Sequence, residues 1–160
     1  MIKLNEIQAK YGEYLVDEKK LKELLVKPKP KTVWDLENGD IYYFIATNGG
    51  VYSCCWLADE NDLCRIEFGN AFLTYDEAKF ELERRKCEAI MLKYGRRTFK
   101  YEDENYFIRF DHTNKRVWIE NWSIYQFQGS IYFDTEDLAQ KAIDEIGEER
   151  LKKYVFRVEE

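Results

Sequence analysis

A nine-residue segment of this chain recurs sixty residues later, and the recurrence constrains the fold more than any other feature. Residues 69–77 align with residues 129–137, matching a glycine, an aromatic residue, a helix-capping residue and an acid three places after the cap. This order is typical of a turn, a short extended stretch and the start of a helix. We therefore expect two copies of one module in tandem.

Each copy is preceded by two stretches rich in β-branched and aromatic residues. In the first half these are residues 41–47 and 51–57, which flank Asn48-Gly49-Gly50. Asparagine and glycine tolerate positive φ, so this sequence predicts a hairpin turn. In the second half, residues 105–110 and 116–122 predict a second hairpin.

Further strands are expected to complete each sheet. Residues 64–68 and the stretch leading to Gly129 predict a third strand in each half, and the alternating residues 154–158 predict an edge strand. The result is an α+β fold of two tandem strand-strand-strand-helix modules, whose helices cover antiparallel sheet. We place the modules at residues 32–97 and 98–160.

Capping residues mark the start of both module helices. Thr74 with Glu77 forms the pattern of a capping box, and the helix it opens is expected to end near Gly95. In the second copy, Asp134 is expected to cap the helix, with Asp137 in the place of Glu77.

A helical segment at residues 1–31 precedes the modules. It carries apolar residues at spacings of three and four, interrupted by Gly12, and Asp17 is placed to cap a second helix at 18–26. Alternating lysine and proline at 27–31 favour an extended tether. A homodimer formed through this segment is an open alternative. The apolar stripe consists of Leu4, Ile7, Tyr11, Tyr14, Leu21 and Leu25.

Charge and hydropathy narrow the class of partner. The net charge is −6, which opposes attraction to a phosphate backbone and argues against nucleic acid as the partner. No apolar run approaches the ~18 residues of a membrane span, and the N-terminus lacks the apolar core of a signal peptide. We therefore expect no membrane association and a location in the cytoplasm.

Catalytic, metal-binding and cofactor-binding motifs are not found in the sequence. The one histidine, His112, lies in a predicted turn, so a nucleophile–histidine pair could form only around that residue. Gly49-Gly50 joins two strands and has no lysine companion, unlike a phosphate-binding loop. Adjacent Cys54 and Cys55 point to opposite faces of a strand and cannot easily share a zinc ion. We expect no enzyme activity, no cofactor and no metal.

The candidate binding residues lie in two acidic loops and on one face of a strand. Acidic loops can mimic phosphates for a basic partner, and exposed aromatic residues anchor protein interfaces. Alternation along residues 116–122 places both tryptophans and one glutamate on the same face, with Ile119 facing a helix. Core packing and base stacking are the other interpretations of these aromatic residues. The predicted protein-binding residues are Asp59, Glu60, Asp62, Glu102, Asp103, Glu104, Trp118, Glu120 and Trp122.

The chain resembles a group of small accessory proteins carried by bacteriophages and prophages of Firmicutes. The residues that carry the resemblance are 11–14, 29–36, 39–43, Gly69-Asn70 with Phe72 and Thr74, Gly129 with Tyr132-Phe133, and 146–154. Such proteins are often inhibitors of host defence, including anti-CRISPR proteins. The resemblance implies that class of role and assigns no functional residue.

We therefore expect a non-enzymatic phage or prophage protein that binds and inhibits a bacterial host protein, a defence or nucleic-acid-handling enzyme. Two alternatives from other classes stay open at this point. One is a nucleic-acid-binding module of phage replication, and the other is a structural or scaffold component of the phage.

Overall fold

The computed structural model describes residues 4–12 and 32–158, and the chain divides into two compact units, Met1–Lys31 and Thr32–Glu160. In the first unit, helix α1 spans Leu4–Tyr11, as the apolar spacing predicts. The predicted second helix at 18–26 and the Lys-Pro tether at 27–31 lie outside the described residues. Both repeats lie in the second unit. Within the described ranges, none of the helices has both the length and the apolarity needed to cross a membrane.

Two antiparallel hairpins form the strands of the second unit, and both confirm the sequence prediction. Strand β1 (Ile41–Ile45) pairs with β2 (Val51–Cys55), and β3 (Tyr106–Asp111) pairs with β4 (Arg116–Asn121). The side chain of Asn48 supports the first turn, since its Oδ1 accepts the Gly50 N–H at 2.9 Å. A short 3-10 turn at residues 33–35 precedes the first hairpin.

The third strand predicted at 64–68 is wrong, because these residues belong to a helix and its end. Helix α2 spans Glu60–Glu67, and the predicted acidic loop at 59–62 is its start. Asp59 caps the helix by accepting the Asp62 N–H at 2.9 Å. This cap, with acids in the first turn, outweighs the strand preference of the apolar residues that follow.

In each half a single residue takes the place of the third strand. Phe72 exchanges both backbone hydrogen bonds with Tyr43, at 2.8 and 2.9 Å. Phe133 does the same with Tyr106, at 3.1 and 2.7 Å. The strand predicted before Gly129 is therefore also wrong, since pairing is confined to the bridges that follow this glycine. The fold is α+β, with two two-stranded sheets and helices packed against them.

Helix α3 (Tyr75–Tyr94) follows the first bridge and begins at the predicted capping box. Thr74 Oγ1 accepts the Glu77 N–H at 3.2 Å, and Glu77 Oε2 accepts the Thr74 N–H at 3.3 Å. Gly95 ends the helix, with its N–H donated to the Met91 carbonyl. Prediction and structure agree at both ends.

Helix α4 (Glu136–Ile146) begins one residue later than predicted, so Asp134 is not its cap. Thr135 is the cap, since its Oγ1 accepts the Leu138 N–H at 3.3 Å. The cause is one extra residue in the second copy, which lies between Gly129 and the bridging residue Phe133. From the bridge onward the two copies are therefore sixty-one residues apart. At this offset Thr74 aligns in sequence with Thr135, and the buried Ala78 aligns with the buried Ala139.

The C-terminal segment is helical and not the predicted edge strand. A short turn, Glu148–Arg150, leads into a π-helical turn, Leu151–Val155, which is followed by irregular chain. Leu151 is fully buried in a cluster with Cys87 of α3 and Ile146 of α4. Burial of a leucine against two helices contributes about 1.5–3 kcal/mol, which favours this docked turn over an exposed edge strand.

We predict that Gly95→Ala lowers the free energy of unfolding by about 1–3 kcal/mol, because the site is too crowded for a side chain. A Cβ at Gly95 would lie 2.8 Å from the Tyr132 carbonyl oxygen and 2.9 Å from Ile131 Cγ2. The measurement is urea unfolding followed by circular dichroism.

Gly69 provides the matched control, because a Cβ there meets open space but the backbone φ is +62°. Asparagine tolerates this conformation, so Gly69→Asn is expected to be milder than Gly69→Ala. Gly95→Asn, in contrast, is expected to be at least as harmful as Gly95→Ala. Equal stability of Gly95→Ala and the native chain would contradict the steric explanation.

Candidate functional site

The outer face of the second hairpin exposes tryptophan. Val117 and Ile119 pack towards α3, α4 and the C-terminal turn, whereas Trp118 is 37% exposed and Trp122 is 36% exposed. The alternation predicted from the sequence is confirmed, because successive residues of a strand point to opposite faces.

Three residues from the loop after β4 extend this exposed face. The Trp122 ring lies 5.5 Å from the Tyr125 ring and 6.4 Å from the Phe127 ring, in edge-to-face arrangements. Phe127 in turn lies 5.0 Å from the buried Phe107 of β3. Ile124 and Tyr125 are both 62% exposed. We call the set Trp118, Trp122, Ile124, Tyr125 and Phe127 the aromatic surface.

One ion pair lies within the aromatic surface. Arg109 is the cross-strand partner of Trp118, and its guanidinium lies 5.9 Å from the centroid of the Phe127 ring. The same guanidinium donates to a carboxylate oxygen of Glu120. Glu120 therefore neutralises Arg109, and its carboxylate is engaged inside the surface.

The buried side chain of Asn105 fixes the loop next to the aromatic surface. Its two Nδ2–H groups are shared among three backbone carbonyls, those of Lys100 at 2.8 Å, Asp103 at 2.9 Å and Trp122 at 3.1 Å. Its Oδ1 accepts the Lys100 N–H at 2.9 Å and a guanidinium N–H of Arg96 at 3.0 Å. One asparagine thereby joins the predicted acidic loop to Trp122.

The acidic loop 102–104 borders the aromatic surface. Its three carboxylate residues are exposed, and the Glu102 N–H donates to the Ser123 carbonyl at 2.9 Å. Asp103 Oδ1 accepts the Glu104 N–H, and Glu104 accepts the hydroxyl proton of Tyr106. The structure thus brings together two of the three predicted regions.

The third predicted region, Asp59, Glu60 and Asp62, belongs to the first repeat. Asp59 and Glu60 are exposed at the start of α2, but Asp62 is only 2% exposed. Its carboxylate accepts the Tyr42 hydroxyl at 2.6 Å and the Leu57 N–H at 2.8 Å. Asp62 is therefore an internal hydrogen-bond acceptor, and it is not part of a contact surface.

Arg65 completes the network around Asp62. Its guanidinium donates to the Tyr42 hydroxyl at 2.6 Å and lies 3.8 Å from the centroid of the Phe44 ring. The sequence carries a signal for this network, since Asp62, Arg65 and Ile66 share one face of a helix.

The network shifts the pKa values of its acids. Burial alone would raise the pKa of the Asp62 carboxyl, but the hydrogen bonds from Tyr42 and Leu57 and the charge of Arg65 hold that pKa below its usual range. Burial, and then the hydrogen bond to Asp62, raises the pKa of the Tyr42 hydroxyl. Asp62 is therefore a buried anion, with a neutral tyrosine beside it.

Potential metal ligands are scattered in the part of the chain that the structure describes. No group of three or more His, Cys, Asp or Glu residues there could hold a metal ion. His112 lies exposed in the β3–β4 turn, with its ring edge-on to Phe110 at 4.9 Å. The described surface does expose aromatic rings and carboxylates.

We predict that Asp62→Asn lowers stability in a pH-dependent way. Removing a charge from a buried, hydrogen-bonded network is expected to cost about 2–4 kcal/mol near neutral pH. The folded pKa of Asp62 is lowered, so its contribution is present above the unfolded pKa of about 3.9 and is lost as the pH falls through the folded value. Urea unfolding from pH 6 to pH 3 should show the difference between the two proteins shrinking below pH 4. A difference independent of pH would contradict the assignment.

We predict that Asn105→Ala releases the acidic loop from Trp122. The carbonyls of Lys100, Asp103 and Trp122 would lose their donor, which we expect to cost about 2–4 kcal/mol in all. Hydrogen exchange should accelerate at the amides of residues 100–105 more than elsewhere. Asn114→Ala, in the β3–β4 turn, is the control and should leave those amides unchanged.

Comparisons of the chain with protein-family models, with curated proteins and with solved structures found no match in any of the three.

Proposed function

We propose that the chain is a non-enzymatic binding protein that docks on a bacterial host protein through the aromatic surface and inhibits it. The observation that carries the proposal is a set of exposed aromatic rings, fixed by Asn105 and bordered by carboxylates. An anti-defence role in a phage or prophage is the form of inhibition that the sequence resemblance implies.

The aromatic surface has the residue composition that is typical of the centre of a protein–protein interface. Tryptophan and tyrosine dominate the binding energy of protein interfaces, because they supply large contact areas with few rotatable bonds. Trp122, Tyr125 and Phe127 support one another by edge-to-face contacts, so little ordering is needed when a partner binds. Preorganisation of this kind lowers the cost of association.

The acidic loop indicates the chemistry of the partner. Glu102, Asp103 and Glu104 stand exposed beside Trp122, in a chain with a net charge of −6. Charges at the rim of an interface steer association with a surface of opposite sign. We therefore propose a partner with lysine and arginine around an apolar patch, as on the nucleic-acid-binding face of a defence or nucleic-acid-handling enzyme.

Base stacking on the same rings is the competing function. Aromatic side chains on a sheet can stack single-stranded bases, but they normally work beside unpaired cations. In this surface, the cation of Arg109 is neutralised by Glu120, and the neighbouring loop is acidic. These charges favour a protein over a nucleic acid.

We predict that Trp118→Ala/Trp122→Ala abolishes capture of the partner from a nuclease-treated bacterial lysate by the immobilised protein. Loss of two central tryptophans should weaken binding by about 100-fold or more. The matched control is Trp34→Ala, which removes a tryptophan that is 73% exposed in the first half of the unit. Quantitative mass spectrometry compares each variant with the native protein.

One result supports the prediction: a lysate protein that is captured by the native chain and by the Trp34→Ala variant but is not captured by the double variant. Charge reversal by Glu102→Lys/Asp103→Lys should reduce the association rate with that purified protein at low salt and have less effect at high salt. Equal capture by all variants, or capture only before nuclease treatment, would overturn the proposal. Circular dichroism establishes that the variants are folded.

A further inference from the structure

A cleft of about 1020 Å³ opens between the N-terminal half of α3 and the C-terminal turns. Residues of the aromatic surface do not line it. Two aromatic rings, Phe72 and Phe80, and the apolar side chain of Val158 contribute to its wall, and the other lining residues are charged. The volume lies at the upper end of the ~300–1,000 Å³ that small-molecule sites occupy.

Two cations of the cleft have no carboxylate partner among the described residues. The Lys153 ammonium lies 5.4 Å from the centroid of the Tyr154 ring, and the Arg157 guanidinium lies 5.4 Å from that of Phe80. Lys152, in contrast, pairs with Glu148 at 2.9 Å and with Glu149 at 3.2 Å. Lys153 and Arg157 therefore keep their hydrogen-bond donors for a ligand.

The backbone holds Arg157 in a conformation that arginine rarely adopts. Its φ is +53°, in the left-handed region that residues with a side chain seldom occupy. The Phe80 ring, on which Arg157 lies, also contacts Tyr154 at a centroid distance of 5.2 Å. The guanidinium is thus placed against a ring that neighbouring contacts hold in position.

The opposite wall of the cleft carries carboxylates whose oxygens can still accept hydrogen bonds from a ligand. Asp76 has no hydrogen-bond or ion-pair partner among the described residues, and only Oε2 of Glu77 is used, by the amides of Leu73 and Thr74. Glu81 is different, because Arg84 and Arg85 neutralise it. The cleft therefore presents acceptors from α3 and donors from the C-terminal segment, with aromatic rings in its wall.

We propose that this cleft binds a nucleoside phosphate. Lys153 and Arg157 donate to the phosphate oxygens, in charge-assisted hydrogen bonds that are stronger than neutral ones. The planar base packs against Phe72 and Phe80, and an exocyclic amino group donates to the carboxylate of Asp76 or Glu77. A bare anion would leave the rings and carboxylates unused, and a neutral base would leave the two cations unpaired.

The test is isothermal titration calorimetry of the full chain with AMP, GMP and CMP, and separately with inorganic phosphate, at low ionic strength. We expect at least one nucleotide to bind with a dissociation constant of roughly 10–100 μM, typical of a ligand of this size. Inorganic phosphate should bind at least ~10-fold more weakly, since it lacks the base. Lys153→Gln/Arg157→Gln should weaken nucleotide binding by about 30-fold or more.

Lys141→Gln is the matched control, because Lys141 is exposed on α4 and does not line the cleft. It should bind nucleotide as the native chain does. Amide chemical-shift changes confined to residues 72–81 and 152–158 would place the ligand in the cleft. The inference is overturned if no nucleotide binds, if phosphate binds as tightly as the nucleotides, or if the double variant, folded by circular dichroism, binds like the native chain.

Discussion

In each repeat, a single residue pairs with the hairpin and thereby holds the hairpin to the helix that follows. The architecture of the second unit depends on this pairing. A two-stranded hairpin is marginal in water and needs a third strand or a helix against its apolar face. Phe72 and Phe133 each form both backbone hydrogen bonds to a hairpin, and a threonine caps the next helix two residues later. Because so short a connection leaves the helix little freedom, α3 and α4 must begin beside their own hairpins.

One extra residue in the second repeat changes the hydrogen-bonding role of Asp134. It moves the cap to Thr135, and Asp134 instead accepts from Arg96 and Lys100, each at 2.8 Å. Arg96 also donates to Asn105, so the displaced aspartate supports the network that fixes the acidic loop. The extra residue thereby helps, through Asp134 and Arg96, to fix the loop that borders the aromatic surface.

Local patterns predicted the hairpins, the capping box of α3 and the exposed face of Trp118, because turn chemistry, capping and period-two alternation act over a few residues. The third strands could not be predicted in this way, since pairing depends on a partner elsewhere in the chain. At 64–68 the strand preference gave way to the cap at Asp59. The role of Asn105 was also missed, because its side-chain bonds reach as far as Trp122 and no spacing rule connects the two.

The two repeats differ most in the chain between the hairpin and the bridge, and this difference determines what packs against each hairpin. In the first repeat this chain forms α2, which packs Ile66 with Tyr42 and places Arg65 over the Phe44 ring. The corresponding face of the second hairpin packs against the loop after β4, with Phe127 against Phe107, and against Tyr132 of the bridging segment. A loop with no helix to bury its apolar residues leaves Trp122 and Tyr125 partly in water. The same repeated frame therefore carries a face covered by a helix in its first copy and a face covered by a loop, with exposed aromatic rings, in its second.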